Sequence, residues 1–292
     1  MTALALDIGG TKLAAGVVAE DGSVLGSRRC QTPEHDVWDT CAALLQSVAD
    51  GDAVRSVGIA SAGPVDIPGG RIGPLNIPDW RDGFAITDAV HALFPQAKIS
   101  LAIDGAATAL AEFRYGAARG VPNMLGMVVS TGVGGGILLD GAVVAGRTGN
   151  AGHIGHIVVP GEHDECACGG HGCLETVASG PSAVRWAQGR GWTGNTGSDL
   201  AESAAAGHAT AVAALARAGT ALGHAIAGAA ALLDLSLVVV GGGFARSGPA
   251  LWEPLTETVA RHARLSYLHD LKVVPASLGP SATLIGAGAL HS

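Results

Sequence analysis

Between His153 and Glu175 the chain reads H-I-G-H-I-V-V-P-G-E-H-D-E-C-A-C-G-G-H-G-C-L-E, and no other stretch limits the fold as strongly. His156, Cys166, Cys168 and Cys173 form an H-x9-C-x-C-x4-C set, one imidazole and three thiols. Zinc takes sulfur and imidazole nitrogen, and takes four such ligands where its role is structural. The set is therefore complete for a structural Zn2+. Gly169, Gly170 and Gly172 let the backbone wrap closely around an ion without Cβ clashes. Three of the five cysteines of the chain fall here. A disulfide framework fits poorly, because a C-x-C pair bridges badly with itself and an odd count leaves a thiol over. His163 and His171 also lie in the loop, but four ligands already fill the tetrahedron. His153 and Glu175 bracket the cluster as groups that a bound metal would hold in place.

A chain of 292 residues has room for about two domains. Only 14% of its residues are charged, and the mean hydropathy is +0.37. The most apolar window, Ala221–Val240, contains His224 and Asp234 and runs into three glycines. A spanning helix needs ~20 apolar residues with few or no charges, so a buried helix followed by a buried strand is expected here. Asp7 interrupts the first apolar run and no basic segment precedes it, so no signal peptide is expected. Thiols arranged as metal ligands suit a reducing, cytoplasmic setting. A net charge of -8 speaks against a nucleic-acid footprint.

Apolar runs at Ala3–Ile8, Leu13–Val18 and Ser23–Cys30, joined by tight turns, predict a β-meander. A helix over Asp36–Ala49 and a strand over Val54–Ala60 follow. Beyond the Gly63-Pro64 break come a helix at Ile86–Phe94, a strand at Ile99–Ile103 and a helix at Gly105–Ala118. The order then starts again: strand Met124–Ser130, glycine turn Thr131–Gly136, strand Ile137–Leu139, hairpin Asp140-Gly141 and strand Val143–Val144. Ser179 is expected to cap a helix with Pro181 in its first turn. Leu200–Leu233 reads as one alanine-rich helix, Leu235–Val240 as a strand, and Pro249–Arg264 as a helix. Lys272–Val274 and Thr283–Leu290 close the chain as strand and helix. The repeated order predicts two related α/β domains. Their boundaries are 1–118, completed by a C-terminal helix at 282–292, and 119–281, which holds the zinc loop 153–175.

Asp7-x-Gly9-Gly10-Thr11-Lys12 sits in a strand–turn–strand. It lacks the Walker A spacing, and no helix follows it as a dinucleotide fingerprint requires. Its N–H groups, the Thr11 hydroxyl and the Lys12 ammonium suit a polyphosphate, with Asp7 holding Mg2+ directly or through water. A Gly-Gly hairpin with a solvated lysine is the plainer alternative. Thr131, Gly132, Gly134 and Gly135 lie in a second turn of this kind, and Gly241, Gly242 and Gly243 in a third, between strand and helix. Asp104, at a strand end and a helix start, can cap the helix, serve as a general base towards an alcohol, or do both.

In this order, Asp7-x-Gly-Gly-Thr-Lys12, Gly63-Pro64-Val65, Asn76 before Trp80, Asp104, the Thr131–Gly136 run and the zinc stretch resemble the ROK family of bacterial sugar kinases and sugar-responsive repressors. The resemblance covers essentially the whole chain. It implies two α/β domains of actin/hexokinase-like (ribonuclease H-like) fold around a cleft. MgATP would lie against the three glycine turns and a small sugar between the domains. It further implies Asp104 as catalytic base, and Gly63, Asn76, Asp104, His153, His156 and Glu175 as lining or ordering the sugar pocket. A homodimer is common in the family.

Two departures bear on the substrate. Ile103 stands where the family usually has an asparagine that contacts sugar hydroxyls. His153 stands where glucokinase-like members have the glutamate of G-E-I-G-H. The A-G-H-I-G-H run formed by Ala151–His156 is similar to that of N-acetylmannosamine kinases in the family. The resemblance thus implies ATP-dependent phosphorylation of the 6-hydroxyl of an N-acylhexosamine, with glucose or another hexose as the alternative. A regulator of the family would carry a helix-turn-helix ahead of the kinase-like part, for which a first strand at Ala3 leaves no room. Ile103 motivates a third expectation, a sugar-binding protein that no longer phosphorylates. Removing the metal is expected to weaken sugar binding and stability together, and to affect ATP affinity less.

Overall fold

The computed structural model describes residues 2–291. The described residues up to Pro122, Gly136–Gly152 and those from Leu278 onward form one compact unit; Asn123–Gly135 and His153–Ser277 form a second.

The first unit begins with antiparallel strands β1 (Thr2–Ile8), β2 (Lys12–Val18) and β3 (Val24–Gln31). Leu4, Leu6 and Ile8 of β1 and Leu13 and Ala15 of β2 are fully buried on one face of the meander, and Ala5 and Ala14 are buried on the other, so the sheet is covered on both sides. Helix α1 (Val37–Ala49) leads to β4 (Val54–Ser61), which runs parallel to β1. A short antiparallel pair, β5 (Val65–Asp66) and β6 (Arg71–Ile72), precedes α2 (Ile86–Leu93). Then β7 (Lys98–Ile103) joins β4 in parallel and passes directly into α3 (Asp104–Tyr115). The sheet order is β3-β2-β1-β4-β7. Ile8 pairs with Ser61 and Ser61 with Ile103, so the C-terminal ends of the three parallel strands share one edge. Such an edge is where open α/β sheets meet their ligands.

A second sheet repeats this order. Strands β8 (Met124–Val129), β9 (Val133–Leu139), β10 (Ala142–Val143), β11 (Leu237–Gly241) and β12 (Lys272–Pro275) lie as β10-β9-β8-β11-β12, with β8, β11 and β12 parallel. The helices of this half are α4 (Leu174–Ala178), α5 (Gly180–Gln188), α6 (Gly197–Ala205), α7 (Ala209–Leu233) and α8 (Pro249–His262). The last helix, α9 (Ala282–Ala289), packs on the first sheet. Its approach is possible because a Cβ on Gly58 of β4 would overlap the Ala287 carbonyl, and one on Gly286 the Ala107 carbonyl. Among the described residues no helix is long and apolar enough to cross a membrane.

The structure departs from the sequence reading in four places. The turn expected over Thr131–Gly136 is shorter: Ser130 N–H donates to Gly132 O at 2.9 Å, and Gly134 and Gly135 already lie within β9. Glycine suits this strand, because a Cβ on Gly136 would overlap the backbone of Gly105 and Ala106. The helix expected over Leu200–Leu233 is two helices, interrupted at Ala206–His208 with Gly207 at φ +85°. Helix α6 also starts earlier than expected, at a capping box made by Thr196 and Asp199. Asp104 is the first helical residue of α3 rather than its cap, a position taken by Ile103. Finally, residues 136–152, expected in the second domain, group with the first unit. Ile67 N–H donates to Thr148 O (2.8 Å), and the Asn150 amide pairs with both the N–H and the C=O of Val65 (2.9 and 2.6 Å). Ser179 caps α5, accepting from Ser182 N–H, with Pro181 in the first turn as expected.

Candidate functional site

At the edge of the first sheet where the parallel strands end, Asp7 is buried near the end of β1, with Lys12 Nζ 3.8 Å from its Oδ2. Burial pushes the Asp7 carboxyl up to about 6, and Lys12 pulls it back only in part. The intervening turn is closed by Gly9 N–H donating to Lys12 O at 3.0 Å. Thr32, which no motif singled out, pins the same turn from β3's end: its Oγ1 donates to Gly9 O (2.7 Å) and its N–H to Thr11 O (3.2 Å). The Asn76 side chain lies against Gly10, in the space a Cβ would need. The Asn76 segment is anchored by buried Ile77 and by Trp80, which stacks on Phe84 with centroids 4.6 Å apart. The first unit thus brings one expected sugar residue onto the expected phosphate turn.

Asp104 follows β7 directly, and its Oδ1 accepts from Gly105 N–H at 2.7 Å. Ile103 is fully buried and belongs to the apolar core of the unit, with Ile59 and Leu101. Gly63 precedes a cis proline, and Pro64 O accepts from Gly73 N–H at 2.9 Å.

In the second unit, Gly242 adopts φ +98°, and a Cβ there would overlap the Val129 carbonyl. That approach sets Gly241–Gly243 beside the end of β8. A cavity of about 670 Å³ opens here, lined by Thr131, Gly180, Arg185, Thr196, Gly243 and Phe244 among others. Thr131 and Gly243 were expected here. Arg185, Thr196 and Phe244 carry no motif that marks them in the sequence as lining this cavity.

The four metal-type ligand atoms of His156, Cys166, Cys168 and Cys173 lie within 4.8 Å of one another. A tetrahedral zinc with Zn–S ~2.3 Å and Zn–N ~2.0–2.1 Å would set sulfurs ~3.8 Å apart and sulfur and nitrogen ~3.6 Å apart. Cys168 Sγ and Cys173 Sγ are 3.8 Å apart, and Cys166 Sγ and His156 Nδ1 3.7 Å, so the residues fit the ion. The loop is shaped by Gly169 at φ +85° and Gly172 at φ +70°, and by Cys166 N–H donating to Gly170 O at 2.8 Å. Glu162 ties it to α7 through a two-pronged pair with Arg217. His153 packs edge-on against His156, ring centroids 5.1 Å apart, and burial and that neighbour hold its imidazole below its ordinary pKa. Glu175, in the short helix that follows Cys173, accepts from Val133 N–H at 2.8 Å.

A sequence model of the ROK family matches residues 3–292. The chain belongs to the ROK family. Among its relatives, a glucokinase of Thermotoga maritima is 32% identical, covering 98% of this chain and 96% of that protein. A kanosamine kinase of Amycolatopsis mediterranei is 33% identical over 98% and 95%. An N-acetylmannosamine kinase of Yersinia pseudotuberculosis is 36% identical over 82% of each chain. The crystal structure of a ROK family glucokinase from Streptomyces griseus, in complex with glucose and AMPPNP, superposes with a TM-score of 0.86 at 32% identity and 99% coverage of both chains. The α/β, actin-like fold expected of a ROK protein is therefore the fold of this chain, and these relatives place it with the family's sugar kinases.

Proposed function

We propose that this ROK kinase transfers the γ-phosphoryl group of ATP to the 6-hydroxyl of an N-acylhexosamine, with N-acetylmannosamine as the leading substrate. The observation that carries the sugar assignment is His153 in the A-G-H-I-G-H run. A carboxylate at that position can only accept hydrogen bonds, whereas an imidazole N–H can donate one to an amide carbonyl. Asn76, Gly63, His156 and Glu175 complete the sugar-facing set. The cavity beside Gly243 and Phe244 takes the nucleoside, and the amides of the Thr131–Gly132 turn take phosphate oxygens.

In the reaction Asp104 removes the proton from the 6-hydroxyl as that oxygen attacks the γ-phosphorus. The bond to the β,γ-bridging oxygen breaks, and ADP leaves. Lys12 and the Gly10 and Thr11 amides neutralise charge spreading over the transferring group. A Mg2+ arriving with ATP supplies further charge neutralisation, and Asp7 is the carboxylate that would hold it directly or through water. Asp7 must be ionised for this, so MgATP binding is expected to weaken as pH falls through about 6.

A glucokinase reading is favoured by the glucokinase relative, which matches 98% of the chain. A coupled ADP-release assay over N-acetylmannosamine, N-acetylglucosamine, glucose, mannose and allose separates the two. We expect the highest kcat/KM with N-acetylmannosamine. Preference for glucose would move the protein to the second reading, and no ADP release with any sugar would favour a sugar binder that no longer phosphorylates.

A further inference from the structure

The two arms of the metal loop converge on one residue, Val133, one at its N–H and the other at its carbonyl. From the C-terminal arm, two residues beyond Cys173, Glu175 Oε2 accepts the N–H of Val133 at 2.8 Å. From the N-terminal arm, immediately before His156, Gly155 lies so close to the same residue that a Cβ there would overlap the Val133 carbonyl oxygen. Val133 itself is 4% exposed, and its neighbour Gly132 has no room for a side chain: an added Cβ would stand 2.6 Å from Glu175 Oε2. Gly132 also completes the turn, its carbonyl accepting from Ser130 N–H at 2.9 Å, while Ser130 O accepts from Gly180 N–H at 2.8 Å.

We infer that Gly155 and Glu175 form a clamp, set by the metal cluster, that fixes the Thr131–Gly132 turn for nucleotide phosphates, and that Glu175 is a positioning residue for this turn. The inference rests on the kinase reading, in which the turn faces ATP. A carboxylate accepting from a buried N–H holds one peptide orientation, and a turn whose amides must point at an anion works only in one. The ligands need not touch ATP for this. His156 fixes where Gly155 stands, and Cys173 fixes where the helix carrying Glu175 begins.

The test is nucleotide affinity measured without sugar, by calorimetry with AMPPNP on metal-loaded protein, with zinc content checked for every variant. Glu175→Ala is expected to weaken AMPPNP binding by about tenfold, the scale of one charge-assisted hydrogen bond lost to a buried N–H. Glu175→Gln keeps an acceptor oxygen and should stay within about threefold of wild type, on the same scale. Gly155→Ala presses on the other side of Val133 and should weaken AMPPNP binding while zinc is retained. Wild-type AMPPNP affinity in Glu175→Ala and Gly155→Ala, with sugar affinity alone reduced, would overturn the clamp. Absence of AMPPNP binding by the wild-type protein would instead overturn the kinase reading beneath it. Should Glu175→Ala fold poorly, Gly155→Ala and Glu175→Gln decide the matter: wild-type AMPPNP affinity in zinc-loaded Gly155→Ala, or a loss well beyond about threefold in Glu175→Gln, would contradict the positioning role.

Discussion

The Gly9–Thr11 turn and the Ser130–Gly132 turn occupy the same place in two sheets of identical strand order, yet they are built differently. The first carries its own charges. Asp7 and Lys12 flank it in sequence, and its support comes from within its unit, through Thr32 and Asn76. The second has no charged residue within it and borrows a carboxylate oxygen from a metal loop about forty residues on, which accepts a backbone N–H. A duplicated topology thus fixes where a phosphate-type turn can form, and what props the turn decides what it can do. The first is equipped for charge and proton chemistry, the second for presenting backbone amides.

The largest effect expected from this division is at Asp104, in the first unit. Asp104→Asn should lower kcat by about 10²–10⁴-fold, the usual worth of a general base, with little change in KM for either substrate. Steady-state kinetics check this, and an unchanged kcat would take the proton chemistry away from the first unit. Next in size is metal removal. Chelation, or Cys173→Ser, should lower the thermal midpoint and weaken AMPPNP binding by about tenfold or more, because the clamp on Val133 loosens. The sequence expectation put the damage mainly on sugar binding and stability, with ATP affinity affected less. Contact of both arms with Val133 extends it to the nucleotide, so a chelated protein that keeps its AMPPNP affinity would collapse the distinction between the turns.

A third test probes the first turn by pH. The Asp7 carboxyl has its folded-state pKa raised from 3.8 to about 6, so the folded protein holds that proton more tightly than the unfolded chain. The associated stability is present below about 4 and lost as pH rises through about 6. Asp7→Asn should therefore stabilise the protein at neutral pH, by up to about 3 kcal/mol, while abolishing MgATP turnover. Thermal melts of both proteins from pH 4 to 7 check the sign, and parallel curves would show that Asp7 carries no such strain. The smallest effect belongs to Thr32→Val, which removes one hydrogen bond to Gly9 O at a cost of about 1 kcal/mol. It should raise KM for ATP without changing sugar affinity, measurable in the same kinetic assay.

Most of the strands, and the metal ligands, could be read from the chain because their signals are local. Alternating or continuous apolar runs mark β1, β4 and β8, and ligand spacing marks the H-x9-C-x-C-x4-C set. What escaped is what depends on distant partners. Gly134 and Gly135 look like turn residues, yet they are strand residues, and the crowding that makes glycine fit beside them at Gly136 comes from Ala106. Thr32 and Asn150 are ordinary polar residues until folding sets them against Gly9 and Val65. Glu175 was legible as a site residue, but its bond to Val133 spans the whole metal loop, and no spacing rule reports it. The break at Gly207 was hidden by alanines on both sides, which favour helix wherever they stand.

The central claim is phosphoryl transfer from ATP to a sugar 6-hydroxyl with Asp104 as base. It is tested most directly by incubating the wild-type and Asp104→Asn proteins with MgATP and N-acetylmannosamine and identifying the product by phosphorus and proton NMR. The account predicts N-acetylmannosamine 6-phosphate from the wild type and only traces from the variant. A phosphate on another oxygen, no phosphorylated sugar from the wild type, or equal product from both proteins would contradict it.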